Sequence, residues 1–481
     1  MSPLLVIGFV LLYFLVLMII SHFTSKQADN STFFIGKHQS PWYLVAFGMI
    51  GASLSGVTFI SVPGWVGVSQ FSYMQVVLGY FFGYVVIAQV LMPLYYRLNL
   101  ISIYSYLKDR FGNQSYKTGA SFFLLSRTIG ASFRLFLVAN VLQILVFNQW
   151  GVPFFITVAL TILLIWLYTF KGGIKTIVWT DTLQTLFMLI AVGITIYMIS
   201  DKLELSFSGL ISSVKESDYS QIFFFDDWND KRHFVKNFLS GMFITIVMTG
   251  LDQDMMQKNL TCKNITDAKK NMYSFSVVLI FVNLAFLILG ALLFLYANKL
   301  GLVIPERTDN LFPLIASEHL STAAGVFFIL GLIAAAYSSA DSALTSLTTS
   351  VCVDYLDVDN QPENKKIRLR KRVHVLMSFV LFVVILIFNL ISDESVISSL
   401  FKAAGYTYGP LLGLYAFGLY TKRIVKDNWV PIICIVSPVL SFLLNMYSEV
   451  LFNGYKFNFE ILIVNGFLTF VGLWLISKKK S

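Results

Sequence analysis

Apolar positions along the 481-residue chain come in long unbroken runs. Many reach the roughly 20 residues that a helix needs to cross a bilayer. In lipid every backbone N–H and C=O needs an internal partner, so runs of this length are helices. The pattern predicts spans at about 3–22, 42–67, 71–97, 117–147, 152–170, 176–200, 234–257, 272–300, 321–353, 373–391, 397–420, 427–447 and 457–477. That is an all-α integral membrane fold of about 13 transmembrane helices. The longest polar loops, about 201–233 and 354–372, leave no room for a soluble domain.

Composition supports this pattern. Hydrophobic residues make up 57% of the chain and charged residues 13%, where a soluble domain carries about a quarter charged. The net charge of +9 would suit a nucleic-acid binder, but its distribution excludes that reading. Alternate loops carry Lys26 and Lys37; Arg97, Lys108, Arg110 and Lys117; Lys171 and Lys175; Lys258, Lys263, Lys269 and Lys270; Lys365, Lys366, Arg368, Arg370, Lys371 and Arg372; Lys422, Arg423 and Lys426; and Lys478, Lys479 and Lys480. These are 24 of the 35 basic residues; the opposite loops hold eight, Lys202, Lys215, Lys231, Arg232, Lys236, Lys299, Arg307 and Lys456. The richer side is cytoplasmic. The N-terminus is then outside and the C-terminus inside, as an odd number of spans requires. The remaining three, Arg127, Arg134 and Lys402, fall within spans.

The opening run, Pro3 to Ile20, lacks a basic leader and a small-residue cleavage site, so it reads as a retained first span. Cys262, Cys352 and Cys434 form neither a disulfide framework nor a zinc site. His22, His38, His233, His319 and His374 lie at or outside span ends, which argues against a histidine proton relay. Four glycosylation sequons, at Asn30, Asn113, Asn259 and Asn264, all fall on the cytoplasmic side and read as chance matches.

Four segments carry chemistry. The second span contains Gly51-Ala52-Ser53-Leu54-Ser55-Gly56-Val57-Thr58, then Pro63-Gly64. Glycines among small polar residues at mid-bilayer point either to an unwound stretch whose freed carbonyls hold cations or to close helix packing. In the ninth span Ser338, Asp341, Ser342 and Thr345 recur at i, i+3, i+4 and i+7 and form one polar stripe. Hydroxyls with a carboxylate suit a small hard cation, and an ionisable residue inside a span is functional by default. Serines bonded back to their own helix and a structural pair for Asp341 are the alternative. Asp181, in Thr180-Asp181-Thr182, is either an interfacial cap or a partner in that cation site. Arg127 and Arg134 stand seven residues apart on one helix face, about 10 Å. Their forks suit a carboxylate solute, or else they snorkel or pair with Asp181 or Asp341. Asp252 and Asp254, close to Lys258, read as interfacial, and Lys402 as snorkelling. No Walker loop, dinucleotide turn or zincin pattern is present, so the chain is not read as an enzyme and uptake must draw on ion gradients. A charge moving inward releases about 2.3 kcal/mol per 100 mV and a tenfold gradient adds about 1.4 kcal/mol per ion. Two sodium ions then supply roughly 7 kcal/mol.

These segments, together with Gly405-Tyr406 and Gly409-Pro410-Leu411-Leu412, resemble the solute:sodium symporter family over nearly the whole chain. The resemblance implies a leucine-transporter-type fold. An extra helix and first loop (1–41) precede a first repeat (42–200), an extracellular loop (201–233), an inverted second repeat (234–421) and two last helices (422–481). It implies a main sodium site at Gly51, Leu54, Ala335, Ser338 and Ser339, with Gly51 where relatives often have alanine, a change that should matter little to a carbonyl ligand. A second sodium site, known in the sialic-acid branch, maps onto Asp181, Ser338, Asp341 and Ser342. Asp341 replaces a serine of that branch, so it would either strengthen sodium binding or admit a proton. For the solute, the sialic-acid symporters look similar at Ser53, Ser55, Thr58, Gln75 and Arg127, with Arg134 as the other candidate. The expected protein is a monomeric, multi-pass plasma-membrane symporter. It takes one or two Na+ and a small polar solute, best a sialic acid or related carboxylate-bearing sugar. A neutral sugar or polyol symporter is the nearest rival. A sensor or channel is the rival of another class, and only Ser477–Ser481 follow the last span.

Overall fold

The computed structural model describes residues 3–24, 39–358, 361–391 and 396–479, without the side chains of 3, 170–173, 175, 391 and 396. Lys26, Lys37, His38, Lys480, the Asn30 sequon and the side chains of Lys171 and Lys175 lie outside what is described.

Fourteen helices carry the architecture: α1 (Pro3–Thr24), α2 (Trp42–Ser69), α3 (Tyr73–Val86), α4 (Asn113–Leu145), α5 (Phe154–Lys202), α6 (Phe234–Thr245), α7 (Gln253–Leu260), α8 (Ile265–Leu300), α9 (Thr322–Ser350), α10 (Glu363–Ile391), α11 (Val396–Thr407), α12 (Gly409–Tyr420), α13 (Val430–Met446) and α14 (Ile461–Leu475). Their ends follow local chemistry. The Asn264 side chain accepts from Asp267 N at 2.9 Å to open α8, and Gly301 closes it at φ +64, where only a residue lacking Cβ is unstrained. Ser321 caps α9 through Ala324 N.

Among the described residues eight helices are long and apolar enough to cross a membrane, or nine with the bent pair α6 and α7, and three further apolar helices are shorter. Predicted spans 42–67 and 71–97 run on as one apolar stretch, Trp42–Arg97, turned at Gln70, whose φ is +56. Predicted spans 152–170 and 176–200 both lie in α5. Along α5, Tyr168 bonds Asp341 and Asp181 bonds Ser338, so both predicted spans pack against α9.

Two helices break in the middle of the fold. Ser55 leaves helical geometry at φ 40, ψ 171 inside α2, within the segment whose glycines and hydroxyls predicted it. The second break was not predicted. After α6 the chain runs through a π-helix, Ile246–Gly250, then bends by 64° into α7. Asp252 caps α7 by accepting from Asp254 N at 2.9 Å.

Candidate functional site

The two breaks face one cavity. Ser53, Ser55 and Thr58 of α2 line it, together with Thr245 and Thr249 at the α6 break and Asn283 of α8. Tyr73, Tyr80 and Tyr84 of α3 close one side and Arg127 and Arg134 of α4 the other. The tyrosines follow from helix periodicity, since positions i, i+7 and i+11 share a face. Tyr84 shares the lining with Ser53, Thr245 and Thr249, and Tyr73 and Tyr80 bond each other at 3.1 Å. The wall is therefore rich in hydroxyls opposite a pair of guanidinium groups.

Those guanidinium groups differ. Arg127 forms a buried ion pair with Asp254. Arg134 is 6% exposed, and neither its Nε nor its Nη1 has a hydrogen-bond partner among the described residues. A buried cation without a partner is costly, and this one lines the cavity. The arrangement is suited to receive an anion.

Beside the cavity lies a layer of buried charge. Asp254 takes Arg127 on one oxygen and the Ser342 hydroxyl on the other. The Tyr408 hydroxyl donates to Asp252 at 2.5 Å. Lys258 Nζ donates to Asp181 Oδ2 at 2.7 Å, while the Ser338 hydroxyl donates to Asp181 Oδ1 at 2.6 Å. Asp341 accepts from the Tyr168 hydroxyl at 2.9 Å and from Ser342 N at 2.5 Å. Each of these charged side chains is at most 3% exposed.

Several sequence expectations change here. Asp252, Asp254 and Lys258 are not interfacial: the bend turns α7 into the bundle, and all three are buried. Lys258 is therefore no loop charge. Arg127 and Asp181 pair with acid and base from α7, not with each other. Gln75 does not line the cavity. It sits two residues from Tyr73, on the opposite face of α3, and donates to the Arg232 carbonyl at 2.7 Å. Gly51 is more than a carbonyl carrier, because its N–H donates to Thr185 Oγ1 at 3.0 Å and a Cβ there would stand 2.2 Å from that oxygen.

Of the residues expected at a second cation site, Ser338 bonds Asp181, the Ser342 hydroxyl goes instead to Asp254, and Lys258 occupies the other Asp181 oxygen. At the main site the Ser339 hydroxyl donates to the Ala52 carbonyl at 3.1 Å. That contact ties α9 to α2 between Gly51 and Leu54; Ala335 lies one turn earlier on α9, and its carbonyl accepts weakly from Ser339 at 3.5 Å. Hydroxyl and carbonyl oxygens at one helix break are ligands for a hard cation. Lys258 and Asp254 were not expected in the site, because charges that follow an apolar run read like a span end.

A profile described as the Sodium:solute symporter family matches residues 33–427. The sodium/sialic acid symporter NanT of Aliivibrio fischeri is 24% identical over 416 residues, covering 84% of this chain and 80% of that one. The mouse sodium-coupled monocarboxylate transporter 1 is 24% identical over 402 residues, covering 82% of this chain and 64% of its own. A solved Na+-coupled sialic acid symporter, in a substrate-bound outward-open state, superposes with a TM-score of 0.83 at 18% identity over 99% of both chains. At that identity the superposition establishes the fold, which is the leucine-transporter type.

Proposed function

Because this chain belongs to the sodium:solute symporter family, and so couples solute entry to sodium across a membrane, we propose that its solute is a sialic acid or a related carboxylate-bearing sugar. The observation that carries this reading is Arg134, a buried guanidinium without a partner on the wall of the cavity. Relatives named for sialic acid and for monocarboxylates have a carboxylate solute in common. An arginine fork binds that group with charge-assisted hydrogen bonds. The hydroxyls of Ser53, Ser55 and Thr58 and the three tyrosines suit the rest of a polyol. A neutral hexose would leave Arg134 without a counter-charge.

Sodium at the main site (Gly51, Leu54, Ala335, Ser338 and Ser339) would tie broken α2 to α9 where Ser339 already reaches Ala52. This favours the state in which the cavity is formed. The sorted loop charge supports an N-terminus outside, a C-terminus in the cytoplasm and residence in the plasma membrane. In that orientation Arg127–Asp254 and Tyr408–Asp252 lie on the cytoplasmic side of the cavity. Their parting opens the way inward.

The test is uptake by proteoliposomes of N-acetylneuraminate, lactate and a neutral hexose, with and without an inward sodium gradient. N-acetylneuraminate should accumulate only with the gradient. Arg134→Gln should weaken its binding about 10- to 100-fold, the worth of hydrogen bonds to a charged group. Equal uptake of the hexose, or unchanged binding by Arg134→Gln, would remove the carboxylate reading. Sodium flux without solute would identify a channel.

A further inference from the structure

The α7 bend brings Lys258 to a place where the sequence expected an ion. Its side chain is 2% exposed and its Nζ sits 2.7 Å from Asp181 Oδ2. The other Asp181 oxygen accepts the Ser338 hydroxyl. Both oxygens of Asp341, one turn further along α9, accept from Tyr168 and Ser342 N. Asp181, the carboxylate at the centre of the expected second cation site, thus already holds an ammonium that belongs to the chain. A free sodium ion bound to Asp181 would stand beside that ammonium in a medium where like charges repel far more strongly than in water. It would also have to displace a group held at high effective concentration by its own backbone.

We infer that Lys258 is a tethered cation that fills the second cation site, so the transporter binds and carries a single sodium ion, at the main site. A tethered ammonium neutralises Asp181 and fixes α7 and α5 to α9, but it cannot leave with the solute. The cluster keeps the architecture of a two-ion carrier and gives up one of its mobile ions. This inference rests on the sodium-coupled reading above and is independent of which solute is carried.

The experiment counts radiolabelled sodium bound to the purified full chain without solute, by scintillation proximity, at ionic strength held constant with choline. Wild type should hold one ion per chain. Lys258→Met, which keeps the length and removes the charge, should hold two, because Asp181, Asp341, Ser338 and Ser342 then lose their resident cation. The Asp181→Asn/Lys258→Met double variant, which also removes the carboxylate, should return to one ion; if Lys258→Met does not fold, the wild-type count alone decides. Two ions on wild type, or one on a folded Lys258→Met, overturns the inference while leaving sodium coupling intact. No sodium bound by any form would instead overturn the main site, and this inference with it.

Discussion

Arg127 and Arg134 share a helix face and a spacing, yet the structure separates their roles by what lies opposite each. Asp254 pairs directly with Arg127; Arg134 has Asp254 and Asp252 near it, but its Nε and Nη1 have no hydrogen-bond partner among the described residues. Breaking a buried ion pair by removing one partner costs about 3–5 kcal/mol, because the other charge is left buried alone. Arg127→Gln should therefore lower the thermal unfolding midpoint in detergent, without solute, by many degrees. Arg134→Gln removes a buried charge that has no direct ion pair, so the midpoint should fall far less, or hold, even as solute binding is lost. Equal destabilisation by the two variants would show that Arg134 has a structural partner and would end its assignment to the solute. The sequence could place both arginines in the membrane but could not choose between them. The partner that decides the matter lies 127 residues further along the chain, and no local spacing reports such a contact.

At the scale of helices, the site depends on a close crossing. A Cβ on Gly79 of α3 would stand 2.1 Å from the Phe238 carbonyl, and one on Gly241 of α6 would stand 2.1 Å from the Val76 carbonyl. Each helix thus presses backbone against backbone, the contact that small residues permit in membranes, and the crossing sets the tyrosine wall of α3 against the α6 break. Gly241→Ala must push the helices apart, an overpacking cost of about 1–3 kcal/mol. Gly193→Ala in α5 has nothing within 4 Å of its Cβ and should unfold no earlier than wild type. Thermal unfolding of the two variants in the same detergent checks this, and similar losses would refute the crossing. The two breaks also show what a sequence reveals about helices. The break in α2 was legible because Gly51, Ser53, Ser55 and Gly56 are polar or flexible at mid-bilayer, where a plain helix has no use for them. The break after α6 was not. Its acids and lysine follow an apolar run, and from the sequence alone a bend that sends charges inward reads like a span end that sends them to water. Apolar length located most helices. It also ended one span at 170 and began another at 176, where α5 runs on as a single helix.

For the whole molecule the charges add to a prediction about energy. A carboxylate solute carries one negative charge and one sodium ion carries one positive charge, while Lys258 stays behind. The loaded transporter then moves no net charge, and the membrane potential does no work on it. A tenfold sodium gradient alone, worth about 1.4 kcal/mol per ion, could raise the solute at most about tenfold. Two mobile ions would make the complex positive, and 100 mV would add about 2.3 kcal/mol, or roughly 50-fold more accumulation. Proteoliposomes with a fixed sodium gradient and a potassium diffusion potential imposed by valinomycin separate these cases. In wild type the final accumulation of N-acetylneuraminate should not respond to the potential. In Lys258→Met, with a second mobile ion admitted, an interior-negative potential should raise it. A wild type that responds to the potential carries more sodium than one per carboxylate, and Lys258 would then be a companion of the second ion and not its replacement.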